Sequence, residues 1–183
     1  MDNIIYFLSW SPIDYQRVIG AIASILGIVA FVSYLVGVYL KFGFQKSISF
    51  YWYRFDADWR WIFQAFMYFS SLCILLLGQN TMYLLSAVSF SIMAMFPSVL
   101  YKHFIIPHCI FATLGILLST LAVPMTLNFG AGLILCIADI LFIAGVFILR
   151  QRNQFVRATT LYWIEVFTIS MMLLGTVICR FLL

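Results

Sequence analysis

The most constraining feature of this chain is the run from Val18 to Leu40, 23 residues without a single charge. Wound as a helix at ~1.5 Å per residue, such a run is long enough to cross a hydrocarbon core of about 30 Å. Further runs of similar character follow. The spans read Ile13–Leu40, Trp61–Gly78, Thr81–Tyr101, Phe104–Val123, Leu127–Leu149 and Leu161–Leu183. A barrel would instead alternate polar and apolar residues in segments of about 10, and no such alternation is present. The expected fold is therefore all-α. It is a polytopic six-helix transmembrane bundle that occupies residues 1–183 as a single domain.

Composition narrows the class in the same direction. Hydrophobic residues make up 65% of the chain and charged residues only 9%, against roughly a quarter charged in a soluble domain. Soluble and disordered classes are excluded. The net charge of +4 does not indicate nucleic acid, because the cations lie between apolar runs rather than on one soluble face.

Those cations set the orientation. Lys41, Lys46, Arg54, Arg60, Lys102, Arg150, Arg152 and Arg157 fall on one side of six crossings, and only Arg17 and Arg180 on the other. The positive-inside bias puts both termini outside and the basic connections, including the loops at 41–60 and 150–160, in the cytoplasm. Trp52, Trp59, Trp61 and Trp163 form the aromatic belt on that side. The expected location is the cell membrane, multi-pass, with the lipid bilayer as the first partner. Residues 1–10 carry Asp2 and no Lys or Arg. They do not resemble a cleavable signal and are expected to lie along the outer interface.

Local signals set the span boundaries. Ser11-Pro12-Ile13-Asp14 reads as a helix start. Asp56 or Asp58 offers a cap for the second span, and Gly78-Gln79-Asn80 a tight turn. Pro97 is expected to kink the third span, and Pro124 to close the fourth. Segment 41–60 is rich in aromatics and reads as re-entrant or surface-lying. The four cysteines, Cys73, Cys109, Cys136 and Cys179, lie in spans without paired spacing. They read as buried free thiols rather than a disulfide framework.

Ionisable groups within spans are functional candidates by default. Counting ~1.5 Å per residue from the cytoplasmic ends puts His108, Glu165 and Gln64 in one shallow layer. His108 continues along its helix as Ala112, Gly115, Ser119 and Ala122, a small-residue stripe where helices approach closely. Glu165 continues as Thr168, Met172, Gly175 and Cys179. Asp139 lies deeper, about 15 Å from the cytoplasmic end of its span, where an acid costs about 2.5–3.5 kcal/mol. His108, Glu165, Gln64 and Asp139 therefore form the candidate polar site. Each has a structural alternative. Glu165 would snorkel toward the arginines, His108 would bond a carbonyl freed by helix irregularity, and Asp139 would donate to neighbouring backbone.

No HExxH, GxSxG, P-loop or GxGxxG motif occurs. A catalytic metal needs three ligands held together. The only plausible set beyond the thiols, His103, His108, Asp139 and Glu165, is split by the deeper position of Asp139. No metal or cofactor is expected.

Three stretches carry a resemblance. Ser47-Ile48-Ser49-Phe50-Tyr51-Trp52-Tyr53 followed by Trp59-Arg60-Trp61-Ile62-Phe63, His108-Cys109-Ile110-Phe111-Ala112, and Tyr162-Trp163-Ile164-Glu165 are similar to motifs in a group of small six-span proteins encoded by bacteria and their phages. The resemblance implies a bacterial inner-membrane protein of unassigned activity, and it singles out His108 and Glu165. Asp139 has no counterpart in it.

The expected function is non-enzymatic: a cytoplasm-facing polar cavity that binds or passes a small solute, ion or lipid headgroup. A homo-oligomer stays open, because six short helices enclose little volume. One alternative is a scaffold that docks a partner through Lys46, Trp52, Arg54, Trp59 and Arg60. A metal-dependent lipid hydrolase is the other.

Overall fold

A computed structural model describes residues 12–77, 80–96, 102–126 and 129–181. Within them the chain is all-helical, with no strand. Helix α1 spans Pro12–Phe42, and a short α2 spans Tyr51–Arg54. After a 3-10 turn at Ala57–Trp59 come α3 (Trp61–Leu76), α4 (Thr81–Met95), α5 (Lys102–Thr126), α6 (Phe129–Arg152) and α7 (Gln154–Phe181). Val18–Phe42, Ala57–Leu76, Phe104–Ala122 and Gly132–Arg152 are long and apolar enough to cross a membrane. These segments mark a membrane-embedded protein.

The long helices pack in chain order, α1 on α3, α3 on α4, and onward to α7, which closes the ring against α1. An additional contact between α5 and α7 crosses the ring. Outward faces are apolar, as lipid demands: Val29, Val32 and Val36 of α1 are each more than half exposed.

Several boundaries differ from expectation, each for a local reason. The third span was expected to reach Tyr101, but α4 ends at Met95. Phe96 precedes Pro97, and the proline ring disfavours helical backbone in the residue before it. At 15 residues, or about 22 Å, α4 is shorter than a bilayer core. The kink expected at Pro97 lies outside the described residues, as do Gly78 and Gln79 of the expected turn. Asn80 caps α4, its side chain accepting from Met82 N at 2.9 Å. Neither Asp56 nor Asp58 caps α3, whose N-cap is Arg60 without a side-chain bond. Helix α5 runs past Pro124 to Thr126.

The basic stretch at 150–160 is not a loop. Only Asn153 separates α6 from α7, and its side chain accepts from Phe155 N at 2.9 Å. No Gly or Pro interrupts residues 150–160, so helix persists on both sides of the cap. A non-helical residue does follow at Thr159 (φ −117°, ψ 16°).

Segment 41–60 is part of the core. Gly43, at φ +67°, turns the chain out of α1 and donates to Tyr39 O at 2.8 Å. A left-handed glycine in this position is a common helix terminator. Ile48, Tyr51, Trp52 and Phe55 are then buried. Tyr34 of α1 stacks on Phe66 of α3 at 4.1 Å and meets Tyr51 edge-on at 6.5 Å. Phe44 reaches Tyr162 and Trp163 at 5.6 and 5.4 Å. Tyr51 and Phe63, two of the largest fully buried side chains, both meet Tyr34 where segment 41–60 packs on α1 and α3.

Candidate functional site

The residues expected to share one site fall into three hydrogen-bonded groups. The first forms at the end of α4. A helix terminus leaves its last carbonyls without backbone donors, and Pro97 removes the N–H that would have bonded Met93 O. Phe96 N takes that carbonyl at 3.2 Å. His108 of α5 bonds Phe96 O through Nδ1 at 3.1 Å, so Nδ1 is the nitrogen that carries the hydrogen. Gln64 of α3 donates through Nε2 to Ala94 O at 3.5 Å. His108 and Gln64 are thus brought together, both as donors to orphaned backbone.

The stripe below His108 is a close helix contact. Gly115, Ser119 and Ala122 are buried, and Ser86 of α4 donates to Gly115 O at 2.7 Å. A Cβ at Gly115 would lie 3.0 Å from the Phe90 ring.

The second group holds segment 41–60 onto α7. Glu165 accepts from Ile48 N, and Tyr162 N donates to Lys46 O at 3.0 Å. The irregularity at Thr159 explains why Tyr162 N–H is available, since a regular helix would spend it four residues back. Thr159 and Thr160 hydroxyls donate back to Phe155 O and Val156 O at 2.9 and 2.7 Å, and such back-bonding bends helices. Glu165 was expected either to meet His108 or to reach the arginines. Instead it secures a loop, and no hydrogen bond joins it to His108 among the described residues.

The docking set divides as well. Trp52 is 5% exposed and lies under the Arg60 guanidinium at 4.5 Å, so it offers no surface to a partner. Lys46, Arg54 and Trp59 are exposed. Burial, followed by the nearby Tyr162 phenol, pushes the Tyr51 phenol above its ordinary pKa, and Tyr51 donates to Gly43 O at 2.9 Å. Two polar atoms in this region, Tyr34 OH and Trp52 Nε1, are buried without a partner among the described residues.

The third group is Asp139. It is 6% exposed on α6, and its Oδ1 accepts from Thr168 Oγ1 of α7 at 2.8 Å. Beside the pair lies a cavity of about 10 Å³ whose walls include Thr120, Cys136, Asp139, Thr168, Met171 and Met172. The Cys136 thiol donates to Thr120 O at 3.7 Å. The sequence reading placed Asp139 at depth and Thr168 on the Glu165 face. It missed their pairing, because depth counting gives no rotation of one helix about its axis relative to another.

Other spaces are apolar. A cavity of about 30 Å³ lies among Gly27, Phe31, Phe66, Cys73, Phe90 and Leu173. Cys73 is buried, whereas Cys109, expected to be buried, is exposed on the outer face. No three His, Cys, Asp or Glu come together as metal ligands among the described residues. No protein-family model, curated protein or solved structure matches this chain.

Proposed function

We propose that this chain is a six-span protein of the cell membrane, non-enzymatic, that binds or passes a small solute or ion through a polar site inside its bundle. The observation that carries this reading is Asp139. An acid in a span is expensive to keep. This one is buried beside a cavity and is bonded by a hydroxyl, and no cation among the described side chains pairs with it. His108, Gln64 and Glu165 each serve backbone groups, which accounts for them structurally and leaves Asp139 as the polar group without such a role. Eight cations against two support six crossings with both termini outside, and the resemblance to small six-span bacterial and phage proteins agrees with an inner-membrane location.

The test is flux. Purified protein in liposomes should dissipate an imposed ion or solute gradient, and Asp139→Asn should abolish the effect. Equal flux from the Asp139→Asn protein and the parent chain would sink the reading.

A scaffold role has one observation in its favour. Trp59 and Trp61, 53% and 59% exposed, and exposed Arg54 and Lys46 all lie in or at the end of the segment that joins α1 to α3. Under that reading, replacing Trp59 and Arg54 abolishes partner binding while Asp139→Asn leaves it intact.

A further inference from the structure

Pro124 lies inside α5, which continues to Thr126. A proline has no N–H to give the carbonyl four residues earlier, and that carbonyl belongs to Thr120. Thr120 lines the cavity, so a wall residue has a carbonyl that the proline deprives of its usual amide. The Cys136 thiol donates to it at 3.7 Å, and a thiol is a weak donor. On the other walls stand the Asp139 carboxyl and the Thr168 hydroxyl. Thr168 spends its hydrogen on Asp139 Oδ1, which leaves its oxygen lone pairs free. Helices α5, α6 and α7 thus each bring an oxygen-bearing residue to one small space: Thr120 with its carbonyl, Asp139 with its carboxylate and Thr168 with its hydroxyl.

Carboxylate, carbonyl and hydroxyl oxygens are hard ligands that suit hard cations. A volume of about 10 Å³ is roughly the space of one water-sized guest. Calcium would take six to eight oxygens, and magnesium would keep several of its waters. Neither has room here, and one carboxylate balances a single positive charge. We propose that this cavity is a binding site for one dehydrated monovalent alkali cation. Its ligands are the Asp139 carboxylate, the Thr168 hydroxyl and the Thr120 carbonyl that Pro124 sets free. The inference deepens the reading above, naming the ligand class of the same site, and rests on that reading only for passage across the membrane.

The test uses the full chain in detergent. The thermal midpoint is followed as sodium chloride replaces choline chloride at constant ionic strength. A ligand bound only by the folded state raises the midpoint with its concentration. The midpoint should rise with sodium for the parent chain and stay flat for Asp139→Asn. Pro124→Ala returns an N–H to the Thr120 carbonyl, and Thr168→Val removes the hydroxyl oxygen. Each should weaken the apparent sodium affinity about tenfold, the scale of one lost contact.

The site is overturned if sodium and choline act alike on the parent chain, or if Asp139→Asn responds as the parent does. Should Asp139→Asn fail to fold, unchanged sodium affinity in both Pro124→Ala and Thr168→Val overturns it. Flux separates the two claims. Sodium binding without any flux removes the passage reading and leaves the site standing. Flux with no sodium response removes the site alone.

Discussion

Replacing Glu165 distinguishes a structural clamp from a solute ligand. Its carboxylate accepts the amide of Ile48, a residue 4% exposed, and the neighbouring bond runs from Tyr162 N to Lys46 O at 3.0 Å. Hydrogen bonds to charged groups contribute about 1.5–3 kcal/mol, and an abandoned buried donor costs a similar amount. Glu165→Ala should therefore destabilise the docked segment by about 2 kcal/mol, which raises its open population about 30-fold. Glu165→Gln keeps an acceptor oxygen, so it should lose about 1 kcal/mol and open about fivefold more often. The assay is limited trypsin digestion at Lys41 and Lys46, with cleavage rates compared under conditions where opening is fast relative to cutting. Cleavage of Glu165→Ala at the parent rate would refute the clamp. Equal rates for the Gln and Ala proteins would show that the charge, not the accepted bond, is what matters.

His108→Ala should cost about 1–3 kcal/mol by stripping a donor from Phe96 O, measured as a lower thermal midpoint, while sodium affinity stays at the parent value. Gly115→Leu should destabilise by at least about 1–3 kcal/mol, because even a Cβ there lies 3.0 Å from the Phe90 ring; the same midpoint measurement checks it. Asn153→Cys, at the break between α6 and α7, should react with an impermeant thiol reagent only from the cytoplasmic side. Labelling of intact cells from outside would reverse the orientation.

The four helices long and apolar enough to cross a membrane were legible because the required length follows from bilayer thickness and the apolar alphabet. The same arithmetic failed at α4. A residue count cannot register that Phe96 is denied helical backbone by Pro97, so the helix stops at Met95 rather than Tyr101. The folded state of segment 41–60 was hidden for a different reason. Aromatic-rich sequence near an interface fits a surface belt as well as a core. Which one forms depends on Gly43 turning the chain back and on α7 offering Tyr162 N–H and Glu165 as anchors. Those anchors lie more than a hundred residues away, and no local pattern announces them. The place of His108, Glu165 and Asp139 along their helices was similarly readable, while the direction of each side chain was not. That is why one expected site resolved into three.

The two prolines at the ends of α4 and α5 explain which polar residues serve the fold and which is left over. Each removes one amide hydrogen, at Pro97 for Met93 O and at Pro124 for Thr120 O. Near the first, the chain supplies nitrogen donors. His108 and Gln64 sit against the carbonyls of Phe96 and Ala94, so the helix end is closed and the polar residues are used up. Near the second, it supplies oxygens, with Asp139 and Thr168 lining the same cavity as Thr120, whose carbonyl accepts from a thiol at 3.7 Å. Donors gathered on carbonyls complete a structure, whereas at the second site the hydroxyl hydrogen is spent on Asp139 Oδ1, and the lone pairs of the hydroxyl and of the other carboxylate oxygen remain as acceptor capacity. That acceptor capacity is what the proposed cation uses in the cavity beside Asp139, and no comparable capacity is left at His108.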